Sequence, residues 1–402
     1  SEPGLVIFLV YHSVFSNKRP WILALLLAGL AARAGYSWKY PQWGPGGTIP
    51  DISWYETMAE SLLHHGELRD PAGNLNAARE PGYPLILAGL YNVTGPSYRA
   101  AQALNGLLGV LTIALIFALG RDIFGPPVGL LGAAIAAFYP QFIYYSASLE
   151  REIFQTFLIT AAVWLLVRAR RDRSLRLYAA AGAATACCAL TNSVFIPAGA
   201  ALTLGVWLSE PRPRRGRWTA VYLAAMLAVY APWPLRNYLV FGRPIIGSSA
   251  GGAHLYIGLI VPNDVAGTTG EQELVGRDPV AQEASKLGEA ERDALFYREA
   301  LKIVRREPAR FARYISGSFF KLWRLYPYER PYAHGSRQVF WVSLLSDGWI
   351  IPFALLGMLL ARRRFPDADL FYLVLASVSG VYTVFWSIIR YRLPMMPFAI
   401  LL

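Results

Sequence analysis

A succession of long apolar runs constrains the fold of this chain more than any other feature of its sequence. A helix needs about 20 apolar residues to cross the hydrocarbon core of a bilayer. Of the 402 residues, 55% are hydrophobic and only 16% are charged, whereas soluble domains carry about 25% charge. The sequence therefore predicts an all-α polytopic membrane protein with about ten or more spans. They are expected at residues 20–36, 98–120, 126–145, 152–168, 177–192, 194–209, 218–235, 339–361, 368–389 and from 394 onward.

Basic residues between the apolar runs predict the orientation of the chain. The net charge of +12 would suit a nucleic-acid partner, but the arginines cluster in short links between spans, which indicates a lipid bilayer instead. Lys and Arg are enriched on the cytoplasmic side of membrane proteins, and one orientation places every basic link on that side. These links hold Lys18 and Arg19, Arg121, the five arginines from 168 to 176, the four from 212 to 217, and Arg362 to Arg364.

In this orientation two large segments face outward, residues 37–97 and residues 236–338. The second outer loop begins with a glycine-rich part, interpreted as a mobile loop over a site, and continues with a charged helix around 289–306. Its aromatic and basic stretch Phe311–Tyr328 predicts a helix at the membrane interface, because its charged residues would be costly in lipid.

The ends of the chain add two expectations. The opening run Gly4–Phe15 has only 12 residues, which is short for a span. Residues 1–402 are expected to form one transmembrane domain, and because the chain stops at Leu402 inside an apolar run, we expect a further carboxy-terminal piece.

The first outer loop carries a carboxylate with no evident structural role. After Pro50, apolar residues recur every three or four positions, which predicts an amphipathic helix at the membrane interface. Ser53 and Glu56 have the spacing of a capping box, so Ser53 is the expected helix cap. Asp51 would then precede the cap and be free for chemistry. The alternative is that Asp51 itself caps the helix.

Three further carboxylates lie on the predicted outer side. Glu80 belongs to the first outer loop, and Glu150 and Glu152 stand at the outer start of a span. Two residues apart on a helix differ by about 200°, so only one of these two side chains is expected to face a shared cavity. For Glu152 the alternative is a carboxylate placed at a helix N-terminus by the helix dipole.

Arginines at the outer ends of spans run against the positive-inside bias and therefore need a reason. Arg236 follows one span, and Arg390 and Arg392 follow another. They either extend to lipid headgroups or bind a phosphate or diphosphate, which guanidinium groups contact through paired hydrogen bonds. Carboxylates and arginines together suit a phosphate-linked donor and a hydroxyl acceptor.

The motifs of the first outer loop resemble those of a known family. Asp51-x-x-x-Tyr55 and the later run from Arg79 through Glu80 and Gly82 to Tyr83 are similar to the polyprenol-phosphate-dependent glycosyltransferases of the GT-C fold. Within that fold they are nearest the bacterial branch related to protein O-mannosyltransferases and the lipid A aminoarabinose transferase.

Later motifs follow in the order of that family. Glu152, six residues after Ser146, fits its second acidic motif and is selected over Glu150, while Arg151 stands where the family often has Thr or Ser. The remaining matches are Pro232-Trp233-x-x-Arg236-Asn237-Tyr238, Phe241-Gly242, Ser249-x-Gly251-Gly252, Ile257-Gly258 and Arg390-Tyr391-Arg392-x-Pro394.

The resemblance implies an inverting transfer of a sugar from a polyprenyl-phosphate donor to a lipid, glycan or protein acceptor. It places the site on the periplasmic face of a bacterial inner membrane, with Asp51 as the base and Glu152 orienting the acceptor or sharing a divalent metal. No metal ligand set and no other cofactor is predicted. The expected phosphate contacts are Arg79, Arg236, Arg390 and Arg392, Glu80 is a helper, and Tyr55, Tyr83, Glu150, Asn237 and His254 complete the expected substrate-binding set.

A polytopic transporter or flippase for a lipid-linked or anionic substrate is the main alternative. Transporters place charges at mid-membrane in broken helices and often show paired halves, whereas the charges singled out here lie at outer span ends. A non-catalytic assembly subunit is disfavoured by the intact order Asp51, Glu152, Arg236, Arg390. Convergence of Asp51 and Glu152 at an outward cavity would favour the enzyme.

Overall fold

The computed structural model describes residues 19–39, 50–262, 265, 269–326 and 336–402. In these ranges the chain consists of α-helices and three 3-10 helices joined by turns and loops, with one isolated β-bridge between Arg69 and Leu75. The opening run Gly4–Phe15, Lys18 and the end of the stretch Phe311–Tyr328 lie outside the described residues.

Nineteen α-helices are described, numbered here in chain order. The first ten are α1 (Arg19–Lys39), α2 (Pro50–His65), α3 (Gly82–Thr94), α4 (Tyr98–Phe124), α5 (Pro126–Phe138), α6 (Pro140–Ser146), α7 (Glu152–Asp172), α8 (Leu175–Thr191), α9 (Ile196–Ser209) and α10 (Arg212–Tyr230). The others are α11 (Pro232–Phe241), α12 (Gly251–Ile260), α13 (Thr269–Arg277), α14 (Pro279–Ala284), α15 (Glu289–Arg306), α16 (Pro308–Leu322), α17 (Ser336–Ala361), α18 (Asp369–Phe385) and α19 (Met396–Leu401).

Six described helices are long and apolar enough to cross a membrane, and a bent pair, α5 with α6, makes a seventh span. Helices α8 and α9 coincide with two further predicted spans but are shorter. The segment predicted from residue 394 onward begins with a 3-10 turn, Ile389–Met395, and continues as α19. The prediction of an all-α, multi-pass membrane protein is therefore confirmed.

The predicted span at 126–145 is broken, with a 54° bend between α5 and α6. A break frees carbonyl groups at the end of the first helix, and these need donors within the membrane. The buried guanidinium of Arg33 provides them, because its Nη1 and Nη2 donate to the carbonyls of Ala137 at 3.2 Å and Ala136 at 3.3 Å. The arginine thus stabilises a bend that Pro140 makes sterically favourable.

Helix α7 lies in the middle of the bundle, packed against α4 on one side and α8 on the other. Its inward residues Ile159, Val163 and Leu166 are fully buried. Helix α8 also approaches α10 very closely at Gly182, where a Cβ atom would lie 2.2 Å from the carbonyl oxygen of Tyr222. This central packing fixes the outer end of α7, where the predicted acidic motif lies.

The two ends of the bundle differ in charge. At one end Arg170 pairs with Asp369 at 2.9 Å and Asp367 at 3.3 Å, and Arg168 pairs with Asp172 at 2.9 Å. These contacts bring together the basic links that the positive-inside rule assigned to one side. The helices of the two outer loops lie at the other end.

Helices α12, α15 and α16 form an outer layer. Helices α15 and α16 match the helices predicted around 289–306 and from Phe311, and the interfacial position of α16 stays a prediction. The Tyr314 hydroxyl of α16 donates to the carbonyl of Phe385 at 2.7 Å. The mobile-loop interpretation of the glycine-rich part is wrong, since this part contains helix α12. Its glycines serve close packing, because a Cβ at Gly252 would lie 2.4 Å from the carbonyl oxygen of Asp293.

Arg392 has a structural position that argues against the phosphate contact expected for it. Its side chain is fully buried and forms an ion pair with Asp347 of α17. It also donates to the carbonyls of Leu322, at 3.3 Å, and Arg324. Asp347 in turn accepts from Tyr139 at the α5–α6 break, at 2.5 Å. The guanidinium therefore ties three distant parts of the bundle together.

Replacing Arg392 with Met should lower the free energy of unfolding by about 3–5 kcal/mol, because Asp347 would remain buried without its partner. Thermal unfolding of the detergent-solubilised protein measures this. Adding Asp347→Leu to Arg392→Met should recover much of the loss. An unchanged unfolding midpoint for Arg392→Met alone would contradict the structural role.

The stability of the outer layer should depend on pH through Asp293. Burial raises the pKa of this carboxyl group to about 6 from its ordinary value of 3.8. Because the pKa is higher in the folded than in the unfolded state, the folded state binds the proton more tightly. The free energy of unfolding is therefore highest below pH 4 and falls by about 3 kcal/mol as the pH rises through 6. Asp293→Asn still accepts the Gly252 N–H hydrogen bond and should flatten the dependence of the unfolding midpoint between pH 4 and 7. An equally steep profile in that variant would exclude Asp293 as the cause.

Candidate active site

Helix α2 begins earlier than the capping-box spacing predicts. Its first residue is Pro50, so Asp51 lies inside the first helical turn and Ser53 is not the cap. Proline at this position already has the helical φ angle and lacks the N–H that would be left unpaired. The side chains of residues 50–53 lie outside the described part of the structure, and Asp51 is placed only by its backbone, one turn before Tyr55.

Tyr55 connects helix α2 to helix α3. It is buried, and its ring meets that of Tyr83 edge to face with centroids 5.2 Å apart. The Tyr83 hydroxyl accepts a hydrogen bond from Asn105 Nδ2 at 2.9 Å, and the same amide group donates to the carbonyl of Ser148 at 2.7 Å. The two predicted tyrosines therefore connect α2 to the turn that carries Glu150.

The segment 76–80 contacts both outer loops. The Asn76 carbonyl accepts from Arg236 Nη1 at 2.9 Å, and the Ala77 N–H donates to Glu289 Oε1 of α15 at 2.7 Å. The Ser249 N–H donates to the Ala77 carbonyl at 3.1 Å. This segment, which ends at Glu80, therefore holds the second loop against the first.

Arg79, Arg236 and Asn237 lie around this segment. The Arg79 Cζ is 5.7 Å from the centre of the Trp54 ring. Arg236 also donates to Asn237 Oδ1 at 3.0 Å, and Asn237 Nδ2 donates to the carbonyl of Ile245 at 3.1 Å. Arg236 and Asn237 thus stabilise the loop connection, and among the described residues no contact joins them to Glu80, Glu150 or Glu152.

Glu80 is buried and forms an ion pair with Arg151 Nη1 at 2.8 Å. Its other oxygen accepts from the N–H of Ser193 at 2.7 Å, and Arg151 Nη1 also donates to the carbonyl of Thr191 at 3.2 Å. The motif requires glycine at position 82, because a Cβ atom there would lie 2.5 Å from Thr191 Oγ1. The motif therefore fits tightly against the end of α8.

Glu150 and Glu152 both contact the guanidinium of Arg390. Arg390 Nη1 pairs with Glu150, and its Nε lies 3.0 Å from Glu152 Oε1. The expectation that only one of the two glutamates faces a shared site is wrong, because α7 begins at Glu152 and Glu150 lies in the preceding turn. The helical angle of about 200° does not apply across a helix start.

One carboxylate oxygen of Glu152 can accept a hydrogen bond from a substrate. Glu152 is 2% exposed, and its Oε2 is buried with no hydrogen-bond partner among the described residues. A buried carboxylate oxygen favours a donor such as a hydroxyl group. Next to it, Tyr382 accepts from Asn192 at 2.9 Å and stacks on Tyr391 with ring centroids 4.7 Å apart.

His254 lies away from this cluster. Its ring is 6.3 Å from that of Trp386, measured between centroids, and Lys321 Nζ lies 5.3 Å from the same tryptophan ring. A sugar contact by His254 remains a prediction. Within the described ranges, no three His, Cys, Asp or Glu side chains come together as a metal ligand set.

The sequence reasoning missed Arg151 as a site residue. It pairs with Glu80 and stands directly before Glu152, the first residue of α7. The sequence feature that could have identified Arg151 is its departure from the family pattern, in which Thr or Ser often stands at this position. Together, Glu80, Glu150, Glu152, Arg151 and Arg390 form what we call the acidic cluster, at the end of the bundle opposite the basic links.

The central part of the chain matches a known family. Residues 78–235 match the family of dolichyl-phosphate-mannose-protein mannosyltransferases. This segment is less than half of the chain and contains Glu80, Glu150, Arg151 and Glu152. No curated protein matches the chain.

Solved structures of an archaeal oligosaccharyltransferase resemble nearly the full length of this chain. The archaeal oligosaccharyltransferase AglB from Archaeoglobus fulgidus, in complex with an inhibitory peptide and a dolichol-phosphate, superposes with a TM-score of 0.58 at 14% identity, covering 97% of this chain and 50% of that one. The Archaeoglobus fulgidus oligosaccharyltransferase with Zn and sulfate gives 0.55 at 14% identity over 95% and 48%. ArnT from Cupriavidus metallidurans bound to undecaprenyl phosphate gives 0.47 at 13% identity over 98% and 78%.

The chain therefore has the GT-C fold of membrane glycosyltransferases, as the order of its motifs indicated. It spans about half the length of the oligosaccharyltransferase chains that it matches.

The Glu80–Arg151 pair should behave as one unit. Arg151→Thr, which introduces a residue common in the family at this position, leaves Glu80 buried without its partner and should destabilise the protein by about 3 kcal/mol. Combining it with Glu80→Gln should cost less than the sum of the two single changes. Thermal unfolding of the four proteins of this cycle measures the coupling, and strict additivity would show that the two side chains act independently.

Proposed function

We propose that this protein is a membrane glycosyltransferase that moves a sugar from a polyprenyl-phosphate donor to an acceptor hydroxyl, with inversion at the anomeric carbon. The observation that carries the proposal is the acidic cluster, because segments far apart in sequence bring three buried carboxylates and two guanidinium groups to one end of the bundle. Such a combination suits a phosphate leaving group and a hydroxyl nucleophile.

The comparisons support this class of reaction. The family matched by residues 78–235 is described as using a dolichyl-phosphate-linked mannose. The neighbour AglB, which shares the fold, is an oligosaccharyltransferase seen with a peptide and a dolichol-phosphate. We infer a lipid-phosphate sugar donor for this chain too, with a lipid, glycan or protein as the acceptor.

In the proposed reaction Asp51 is the general base. The acceptor oxygen attacks the anomeric carbon, the bond from that carbon to the phosphate oxygen breaks, and its electron pair leaves with polyprenyl phosphate. The acceptor proton passes to Asp51. Support for this role comes from the position of Asp51 in the first turn of α2, one turn before Tyr55.

The guanidinium groups would stabilise the negative charge on the departing phosphate. Arg390 is the first candidate, because it lies at the centre of the acidic cluster, and Arg151 is the second. Nη2 and Nε of Arg151 contact no acceptor among the described residues, since only Nη1 bonds to Glu80 and Thr191. Arg79 borders the same segment and is a third candidate. Arg392 is left out, because Asp347 and two carbonyls occupy it.

The carboxylates would position the reactants. Glu152 Oε2 is the acceptor for a hydroxyl of the incoming substrate, since it has no other partner in the described part of the chain. Glu150 holds Arg390 in place, and Glu80 holds Arg151. Each guanidinium is thereby oriented before substrate arrives, which is the arrangement that lowers a reaction barrier most.

The transporter alternative requires charges along a path through the membrane. The buried charges described in the middle of the bundle are occupied by internal contacts. Arg33 donates to carbonyls at the α5–α6 break, and Arg392 pairs with Asp347. Such groups stabilise the bundle and do not mark a substrate path.

For the location we propose the inner membrane of a bacterium, with the acidic cluster facing the periplasm. The support is the charge difference between the two ends, because the basic links meet at the end opposite the cluster. The positive-inside rule assigns such an end to the cytoplasm.

Asp51→Asn should reduce transfer by about 10²- to 10⁴-fold without changing the unfolding midpoint, because a general base contributes that much to rate. The assay follows release of polyprenyl phosphate from labelled polyprenyl-phosphate sugars by purified protein. The matched control is Asp70→Asn in the same outer loop, where Asp70 accepts from the N–H groups of Ala72 at 2.9 Å and Asn74 at 2.8 Å. Undiminished turnover by Asp51→Asn would remove it from the role, and no turnover with any donor would reject the function.

A further inference from the structure

A cavity lies at the basic end of the bundle, opposite the acidic cluster. It has a volume of about 700 Å³, within the range of ligand-binding pockets. It forms where the end of α7, the link from α9 to α10 and the turn before α18 meet. Its charged and aromatic lining residues are Arg170, Arg173, Glu210, Arg214, Trp218, Asp367 and Asp369.

The acidic residues of this cavity already have partners. Asp369 and Asp367 pair with Arg170, and Asp367 also lies 3.6 Å from Arg171. Glu210 accepts a hydrogen bond from the Tyr178 hydroxyl. The cavity therefore offers no unoccupied carboxylate for a cation.

Two arginines of the lining, Arg173 and Arg214, in contrast, have no acidic partner among the described residues. Arg214 is positioned by an aromatic pair, because its Cζ lies 5.6 Å from the Trp218 ring, which stacks on Tyr178 at 5.3 Å. The cavity thus presents two guanidinium groups, one of them held on an indole.

The backbone conformation of Arg173 is unusual for an arginine. Its φ angle of 49° lies in the left-handed region, at the end of α7, where glycine or asparagine is the usual residue. An arginine there costs about 1 kcal/mol in backbone strain, and such strain is found mostly where a residue has a function. Phosphate binding would supply that function, since guanidinium groups bind phosphate oxygens through paired hydrogen bonds.

The surroundings indicate a lipid as the source of the phosphate. The helix α9 ends at the cavity, and its last two turns expose Leu204, Trp207 and Leu208, at 52%, 44% and 64%. An apolar surface of this kind, which runs away from the cavity along an apolar helix, suits acyl chains. Basic pockets between spans at the cytoplasmic side bind anionic headgroups.

We propose that this cavity binds the phosphate headgroup of an anionic phospholipid, such as phosphatidylglycerol, through Arg173 and Arg214, with its acyl chains along α9. The site is separate from the acidic cluster and does not depend on the proposed glycosyl transfer. Its occupation would anchor the basic end of α7, α9, α10 and α18 to one leaflet.

Titration of the purified, detergent-solubilised chain with short-chain phosphatidylglycerol tests the proposal. Native mass spectrometry counts bound lipid, and thermal unfolding measures stabilisation. The double variant Arg173→Gln/Arg214→Gln should weaken binding about tenfold. The matched control Arg176→Gln/Arg217→Gln removes two exposed arginines from the same links, outside the cavity lining, and should change binding less than about twofold.

Three outcomes would overturn the proposal. Equal weakening in both double variants would mean a diffuse charge effect, and equal binding of phosphatidylcholine would mean no headgroup selection. Protection by millimolar inorganic phosphate as strong as by the lipid would assign the cavity to a free anion. Unfolding midpoints without lipid show whether each variant folds. Arg214→Lys, which keeps the charge but loses the paired hydrogen bonds, should fall between the wild type and the double variant.

Discussion

The acidic cluster depends on one constraint, which is that a charge buried in a membrane protein needs a partner. Glu80, Glu150 and Glu152 are each 3% exposed or less. Arg151 and Arg390 pair with these carboxylates. Arg151 lies in the turn between Glu150 and Glu152, and Arg390 comes from the far end of the chain. Because the partners are distant in sequence, the pairs fix the relative positions of α3, α7 and the turn after α18. The same interactions therefore hold the outer end of the bundle and assemble the proposed site.

Much of the fold could be predicted from the sequence because lipid simplifies the problem. Apolar runs near span length and arginine-rich links leave little choice of class or orientation. A span at 126–145, though not its bend, and the helices α15 and α16 were predicted from local composition. The identity of the fold needed more, namely the order of motifs around Tyr83, Glu152 and Arg236. Each motif alone is short, and their spacing over the chain is what made the resemblance specific.

The separation of site residues from structural ones could not be predicted. Arg390 and Arg392 belong to one motif, yet one meets the acidic cluster and the other is occupied by Asp347. The cause is the 3-10 turn Ile389–Met395, in which residues two apart point about 120° away from each other. For Glu150 and Glu152 the opposite error arose, because a helix start brings them to the same guanidinium. In both cases the directions of the two side chains depend on where the regular α-helix begins or ends. The pattern of apolar and polar residues does not determine that position.

The segment 76–80 has a mechanical consequence. Four hydrogen bonds join its backbone to Arg236, Ser248, Ser249 and Glu289 of the second outer loop, and its last residue, Glu80, forms the ion pair with Arg151. A displacement of the second outer loop would therefore also move the backbone that carries the Glu80 carboxylate. The segment thus couples the second outer loop mechanically to the ion pairs of the acidic cluster.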